Sequence, residues 1–266
     1  MPRSHFTEHL AGGRTTRSVA EHIEIRTQNG PCRTAVFKPD GAGRWPAVIF
    51  YMDGLGIRPV LHDMCDRIAR DGYVVLLPDM FHRAGPYEPL DPRAVFAMGD
   101  FRKALGHLFG STDNQRAADD TAAFLAHLDA RSDVLGQKVG TTGYCMGGGM
   151  SLFAAGTYPD RIAAAASFHG GNLATDSPLS PHRLAAKMKG FVYVAGADKD
   201  NSYPPEMHAL LEKTLTEAGV LHRCEIYPDA LHGWTMADFP IYKHDAAERH
   251  FRELRALFAE RLHQWR

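Results

Sequence analysis

Residues 143–148 read Gly-Tyr-Cys-Met-Gly-Gly, and the atom among them best suited to covalent chemistry is the sulfur of Cys145. A thiolate is a strong nucleophile toward acyl carbon near neutral pH. The segment follows an apolar run ending at Tyr144 and precedes a run of small residues, so it reads as a turn from strand to helix. Gly-x-Cys-x-Gly in that setting is a nucleophile elbow with cysteine in place of serine. The chain must reverse within one strained residue, and Gly143 and Gly147 leave room for backbone to approach backbone. A helix N-terminus then favours the thiolate, and the Met146 N–H faces the position of an oxyanion. A cysteine on such a turn is otherwise simple packing, and its partners decide between the two readings.

Those partners are an acid and a base that follow in the order nucleophile, acid, histidine. Asp198 ends the apolar run GFVYVAGAD, and acids at strand ends face the crevice above the carboxyl edge of a sheet. Asp200 is the runner-up, and the nearer strand end favours Asp198. His232, in Asp-Ala-Leu-His-Gly after the strand CEIYP, is the base. Position distinguishes it from the other histidines, of which the chain has 15 in all. Its neighbour Trp234 is a candidate wall of the substrate pocket.

The elements that must hold these groups alternate. HIEIRTQ and CRTAVFKP flank Asn29-Gly30, a hairpin signal. PAVIFYMD, YVVLLPD, DVLGQKVGTTGYC, RIAAAASF, KGFVYVAGAD and HRCEIYPD are apolar enough to be strands buried on both faces. Helical spacing appears over 58–72, 93–108, 116–129, 146–159, 204–218 and 241–263. Strands separated by helices predict an α/β fold, a mostly parallel sheet covered on both sides, with the opening hairpin as an antiparallel edge. In the last helix Phe251, Leu254, Leu257, Phe258 and Leu262 form the packing face, and His250, Arg252, Arg255 and Arg261 are expected to point outward.

Composition narrows the function. The chain has 266 residues, with 30 basic against 31 acidic side chains and a formal net charge of -1. That length suits one α/β domain over 19–266 after a loose polar lead-in over 1–18. The charge balance speaks against a nucleic-acid partner. No apolar run approaches the roughly 18 residues of a membrane span, and the N-terminus lacks the apolar core of a secretory signal. A cytoplasmic location is expected. Cys32, Cys65 and Cys224 sit among apolar residues and read as buried packing. No histidine-acid spacing suggests a metal, and Gly147-Gly148-Gly149 is explained by the turn, so neither metal nor cofactor is called for.

With these residues in view, the chain resembles the dienelactone hydrolase family of α/β-hydrolases. The matching pieces are PAVIFYMDGLG, GYVVLLPDMFHRAG, KVGTTGYCMGGG, FVYVAGAD and YPDALHG. The resemblance implies one α/β-hydrolase domain with a mostly parallel sheet of about eight strands. It also implies cofactor-free hydrolysis of a small-molecule ester or lactone. Carried over by position, Cys145 is the nucleophile, Asp198 the acid and His232 the base. The backbone of Met146 and Gly54 forms the oxyanion hole. Asp53 stands where the family archetype has a glutamate that positions the thiol, and it is one methylene shorter. The archetype's two substrate-clamping arginines fall here on Met236 and near Met98, neither of them basic. Arg58, Arg83 and Arg93 read as ordinary exposed arginines.

The long loop after YVVLLPD should border the site and offer Phe81, His82 and Tyr87 to the substrate, with His169 reaching the same crevice from the end of RIAAAASF. Cysteine favours activated acyl groups, such as enol esters and strained lactones, because the thiolate is itself a good leaving group. Two alternatives share the fold. One is a thioesterase or xenobiotic carboxylesterase, and the other is a silent scaffold that binds a small molecule or a protein. The oligomeric state is left open.

Overall fold

The computed structural model describes residues 17–88, 90–99 and 101–263, so most of the expected lead-in lies outside the described residues. Eight strands form one sheet. They are β1 (Ser18–Thr27), β2 (Gly30–Pro39), β3 (Trp45–Tyr51), β4 (Val74–Pro78), β5 (Val134–Tyr144), β6 (Ile162–Phe168), β7 (Phe191–Lys199) and β8 (His222–Leu231). Their spatial order is β1-β2-β4-β3-β5-β6-β7-β8. The first two are antiparallel to their neighbours, and every pairing from β4–β3 to β7–β8 is parallel. This is the expected α/β fold with its antiparallel edge.

Every parallel crossover except that from β6 to β7, which holds only a 3-10 helix over Pro181–Lys187, is made by α-helices whose composition suits their place. Helix α1 (Pro59–Arg70) starts with proline at its first position and buries Val60, Leu61, Met64, Cys65 and Ile68 on one face. The predicted helix over 93–108 is two helices, α2 (Pro92–Met98) and α3 (Phe101–Phe109). The break falls at Gly99, which caps α2 in the left-handed conformation at φ 67°. Helix α4 is Asn114–Ala130, capped by the Asp113 side chain. Helix α5 (Met146–Thr157) has no polar face, because it is enclosed by the sheet and by α4. Helix α6 is Pro205–Glu217, and α7 is His244–Leu262. Among the described residues no helix is long and apolar enough to cross a membrane.

Under the site the core is aromatic. Phe50 stacks on Tyr144 at 4.7 Å between ring centroids, and Tyr144 stacks on Phe168 at 5.5 Å. Removing such a buried ring costs about 3–5 kcal/mol. His250 departs from expectation. It is fully buried rather than outward, and its Nε2 lies 2.9 Å from the Tyr144 hydroxyl while its Nδ1 reaches the Ala247 carbonyl at 2.8 Å. Burial pushes its pKa down to about 3, so it is a neutral hydrogen-bonding core residue.

Candidate active site

Each glycine around Cys145 answers to a contact. A methyl on Gly143 would come within 1.9 Å of the Gly147 carbonyl oxygen, and one on Gly147 within 2.2 Å of the Tyr51 oxygen and 2.5 Å of the Met52 oxygen. One on Gly148 would meet Ser167 Oγ at 2.4 Å. Helix α5 therefore enters hard against the ends of β3 and β5. Cys145 makes the turn at φ 53° and ψ −116°, a strained conformation for a residue with a side chain. Met146 is the first residue of α5, where backbone N–H groups lack helical acceptors.

His232 stands with Cys145 and Asp200. Its Nδ1 lies 2.6 Å from Asp200 Oδ2, and it lines the same cleft as Cys145. Burial disfavours the imidazolium, but Cys145 and Asp200 outweigh it and push the His232 pKa up to about 10. Asp200 is also held from Ser202. The Ser202 N–H and hydroxyl donate to its Oδ1 at 2.8 and 2.5 Å, and Ser202 Oγ lies 3.0 Å from His232 Nδ1. Burial opposes ionisation of Asp200, yet these hydrogen bonds keep its carboxylate below the ordinary range.

The carboxylate that meets His232 is thus that of Asp200, whereas the expected Asp198 lies elsewhere. Strand β7 runs on to Lys199, and its register with β8 shifts between Ala197 and Lys199. That irregularity turns Asp198 outward, where its carboxylate accepts the Asp229 N–H at 2.8 Å. Asp200, the first residue beyond the strand, is left facing His232. Ser202 was not anticipated. Its spacing of two after the acid, an Asx-turn arrangement, was the available signal.

Asp53 is not on the thiol. Its two oxygens accept from Arg58 Nη1 and Nη2, each at 2.7 Å, and Oδ1 also accepts the Leu55 N–H at 2.8 Å. Arg58, expected on the surface, is buried. Its Nε donates to Asp238 at 2.6 Å, and its guanidinium lies 5.1 Å from the Phe239 ring centre. Burial works against its charge, but Asp53 and Asp238 hold it more firmly protonated than usual. Arg83 is paired too, with Asp120 at 2.7 Å, and Arg93 is exposed as expected. Gly54 follows Asp53 and lies under the Phe109 ring, 2.8 Å from where a methyl would sit.

Cys145, Met146, Ser202 and His232 open into a cleft of about 690 Å³. Its far walls are the α3–α4 junction, including Phe109 and Asp113, and the segment from Gly171 to Ser180. Asn114 Nδ2 ties the two walls together through the Leu179 carbonyl at 2.9 Å.

The five residues expected to contact substrate stand behind these walls. Phe81 is buried, edge-on to Tyr87 and Phe109. His82 Nε2 is spent on Asp120 at 3.0 Å, and the Tyr87 hydroxyl donates to Asp79 at 3.0 Å. Trp234 is buried, stacked on Tyr227 and edge-on to His169. His169 lies fully buried beneath Cys145. The loop after β4 folds toward β2 and α4 instead of over the cleft, which its sequence alone did not reveal. At the two clamp positions, Met236 is buried and Met98 is 54% exposed.

Burial pushes Cys32 and Cys224 up to about 12, and Cys65 well above its ordinary value.

A parallel sheet with a nucleophile on a strained strand-to-helix turn and a histidine beyond the last strand defines the α/β-hydrolase class. The dienelactone hydrolase family model matches residues 32–262, and the chain belongs to that family. It is accordingly a hydrolase of ester or lactone bonds. It is similar to a Synechocystis sp. protein assigned as a carboxymethylenebutenolidase, 26% identical over 90% of this chain and 96% of the other. It is also similar to the hydrolase tropI of Talaromyces stipitatus, 26% identical over 85% and 81%. Among solved structures, a dienelactone hydrolase-like promiscuous phosphotriesterase, P91, from metagenomic libraries superposes with a TM-score of 0.73. Its identity is 20%, and 92% of this chain and 99% of P91 are covered. An esterase of Pyrobaculum calidifontis gives a TM-score of 0.66 at 20% identity over 90% and 84%. These last two likenesses concern the fold.

Proposed function

We propose that the chain hydrolyses activated esters or lactones of small molecules through a thioacyl intermediate on Cys145. The observation that carries this reading is His232, which shares one cleft with Cys145 and holds its Nδ1 2.6 Å from Asp200. His232 takes the thiol proton of Cys145, which leaves a thiolate beside an imidazolium. Cys145 attacks the acyl carbon, and the N–H groups of Met146 and Gly54 receive the oxyanion. In a serine protease one such donor supplies about 2.7–4 kcal/mol. Collapse of the tetrahedral adduct breaks the acyl–oxygen bond, and His232 gives its proton to the departing alkoxide or enolate. Water then adds to the thioester while His232 takes its proton, and the carboxylic acid leaves with Cys145 restored as thiolate. Asp200 holds the imidazole tautomer throughout.

The test is turnover of an enol lactone, an aryl ester and an acyl thioester by the wild type and Cys145→Ala. The expected result is hydrolysis of the activated oxygen esters by the wild type and its loss in the variant. Equal activity of the two proteins overturns the cysteine mechanism. Turnover confined to the thioester makes the chain a thioesterase, and no turnover by either protein points to a binding scaffold.

A further inference from the structure

Cys145 holds a backbone conformation that persists only where its surroundings over-determine it. Its N–H is shared between the Phe168 carbonyl at 3.1 Å and Nδ1 of His169 at 3.2 Å. An imidazole nitrogen that accepts a hydrogen bond carries no proton, so the His169 proton sits on Nε2 and is donated to Thr235 Oγ1 at 2.7 Å. His169 is fully buried, and Thr235 is 3% exposed. The ring therefore spans from the nucleophile's own backbone to the loop that carries the catalytic base, three residues past His232. It also stands edge-on to the His232 ring, with centroids 5.4 Å apart.

Resting on the reading of Cys145 as nucleophile, we infer that His169 is a positioning residue: a neutral imidazole that fixes the elbow backbone to the His232 loop and so sets the Cys145–His232 approach.

The role requires neutrality. A proton on Nδ1 would replace the acceptor of the Cys145 N–H with a second donor and set a cation against the His232 imidazolium. Burial, His232, His250 of α7 and Arg58 all hold the His169 pKa well below its ordinary value. Tyr144 and Trp234 cover the remaining sides of the ring. His169 also takes φ 41°, so its own backbone is strained into place, with its N–H on the Ala195 carbonyl at 2.8 Å.

The experiment compares His169→Leu, which offers no acceptor, with His169→Asn, whose amide oxygen can stand near the Nδ1 position. Cys145→Ala is run beside them, and thermal melts check folding. A misplacement of the reacting groups predicts a kcat loss of about 100-fold in His169→Leu with KM within about threefold. His169→Asn should recover about tenfold of that loss. Alkylation of Cys145 by iodoacetamide should slow about tenfold at mildly acidic pH in His169→Leu and keep its alkaline plateau, because the thiolate loses its aligned imidazolium. A merely structural role would lower the melting temperature and leave the alkylation profile in place. That result overturns the inference, as does a folded His169→Leu with wild-type kcat. If His169→Leu falls below folding, wild-type kcat and alkylation in Thr235→Val, which frees the far side of the ring, overturn it equally. Inactive Cys145→Ala beside unimpaired His169→Leu removes this inference alone, whereas active Cys145→Ala removes the cysteine mechanism and the inference with it.

Discussion

Arg58 and Asp53 meet through two N–H···O bonds of 2.7 Å, with side chains 3% and 1% exposed. Arg58 extends the contact to Asp238, so one guanidinium bridges the loop after β3 and the loop after His232. These two loops flank Gly54 and His232, which the proposed mechanism uses as oxyanion donor and base. Arg58→Met leaves Asp53 buried without its counter-charge, and breaking a buried pair in this way costs about 3–5 kcal/mol. Urea unfolding measures that loss. The double variant Asp53→Leu/Arg58→Met should regain most of it, because no stranded charge remains. A single variant within about 1 kcal/mol of the wild type would show that the pair has no such weight.

The two aspartates after β7 separate cleanly by experiment. Asp200→Asn should lower kcat by about 100-fold or more, since the imidazole loses the carboxylate that fixes its tautomer. Asp198→Asn should stay within about threefold, because an amide oxygen still accepts the Asp229 N–H at the surface. Steady-state kinetics on an aryl ester decides, and the reverse ranking returns the acid to Asp198.

The pH profile follows from the sign of the His232 shift. Its folded-state pKa is raised, to about 10, so the proton is held through neutrality and lost only as the pH approaches that value. The stabilisation from this ion pair is complete below about 6.5 and disappears as pH rises through about 10. The alkaline fall in kcat/KM should therefore lie near pH 10. In Asp200→Asn it should move toward neutrality, because one source of the raised value is gone. A wild-type alkaline fall near the ordinary histidine value would contradict the raised His232 value.

Gly147→Ala forces a methyl to 2.2 Å from a main-chain oxygen of β3, and neither the strand nor α5 can yield without moving the nucleophile. Activity should drop by about 100-fold and the melting temperature should fall. Gly106→Ala is the contrasting case. It lies within α3 with nothing inside 4 Å of the added carbon. There the gain in helix propensity should stabilise by about 0.5–1 kcal/mol. Thermal melts of the two variants moving in the same direction would refute the steric account.

The order of strands, the turn at Cys145 and the place of His232 after the last strand were legible because each rests on local signals. The run into Tyr144, the small residues after Cys145 and the glycines between them state a strand, a turn and a helix within one short stretch. Hydrophobic patterning likewise placed all eight strands, and it missed the break at Gly99 that divides α2 from α3 and the 3-10 helices over His82–Ala84 and Pro181–Lys187. The acid was less legible. Asp198 and Asp200 are equivalent to any rule that counts from a strand end, and the register shift against β8 separates them.

Sequence alone thus determined the fold class, the nucleophile turn and the histidine, since covalent geometry and side-chain spacing act over a few residues. Tertiary structure decided which carboxylate meets His232, which walls enclose the cleft, and that Arg58 and His250 are buried rather than exposed. Arg58 reaches Asp238 across 180 residues and Tyr144 reaches His250 across 106. A charged or titratable side chain can leave water only when such a partner arrives to satisfy it, and no local pattern records where that partner comes from.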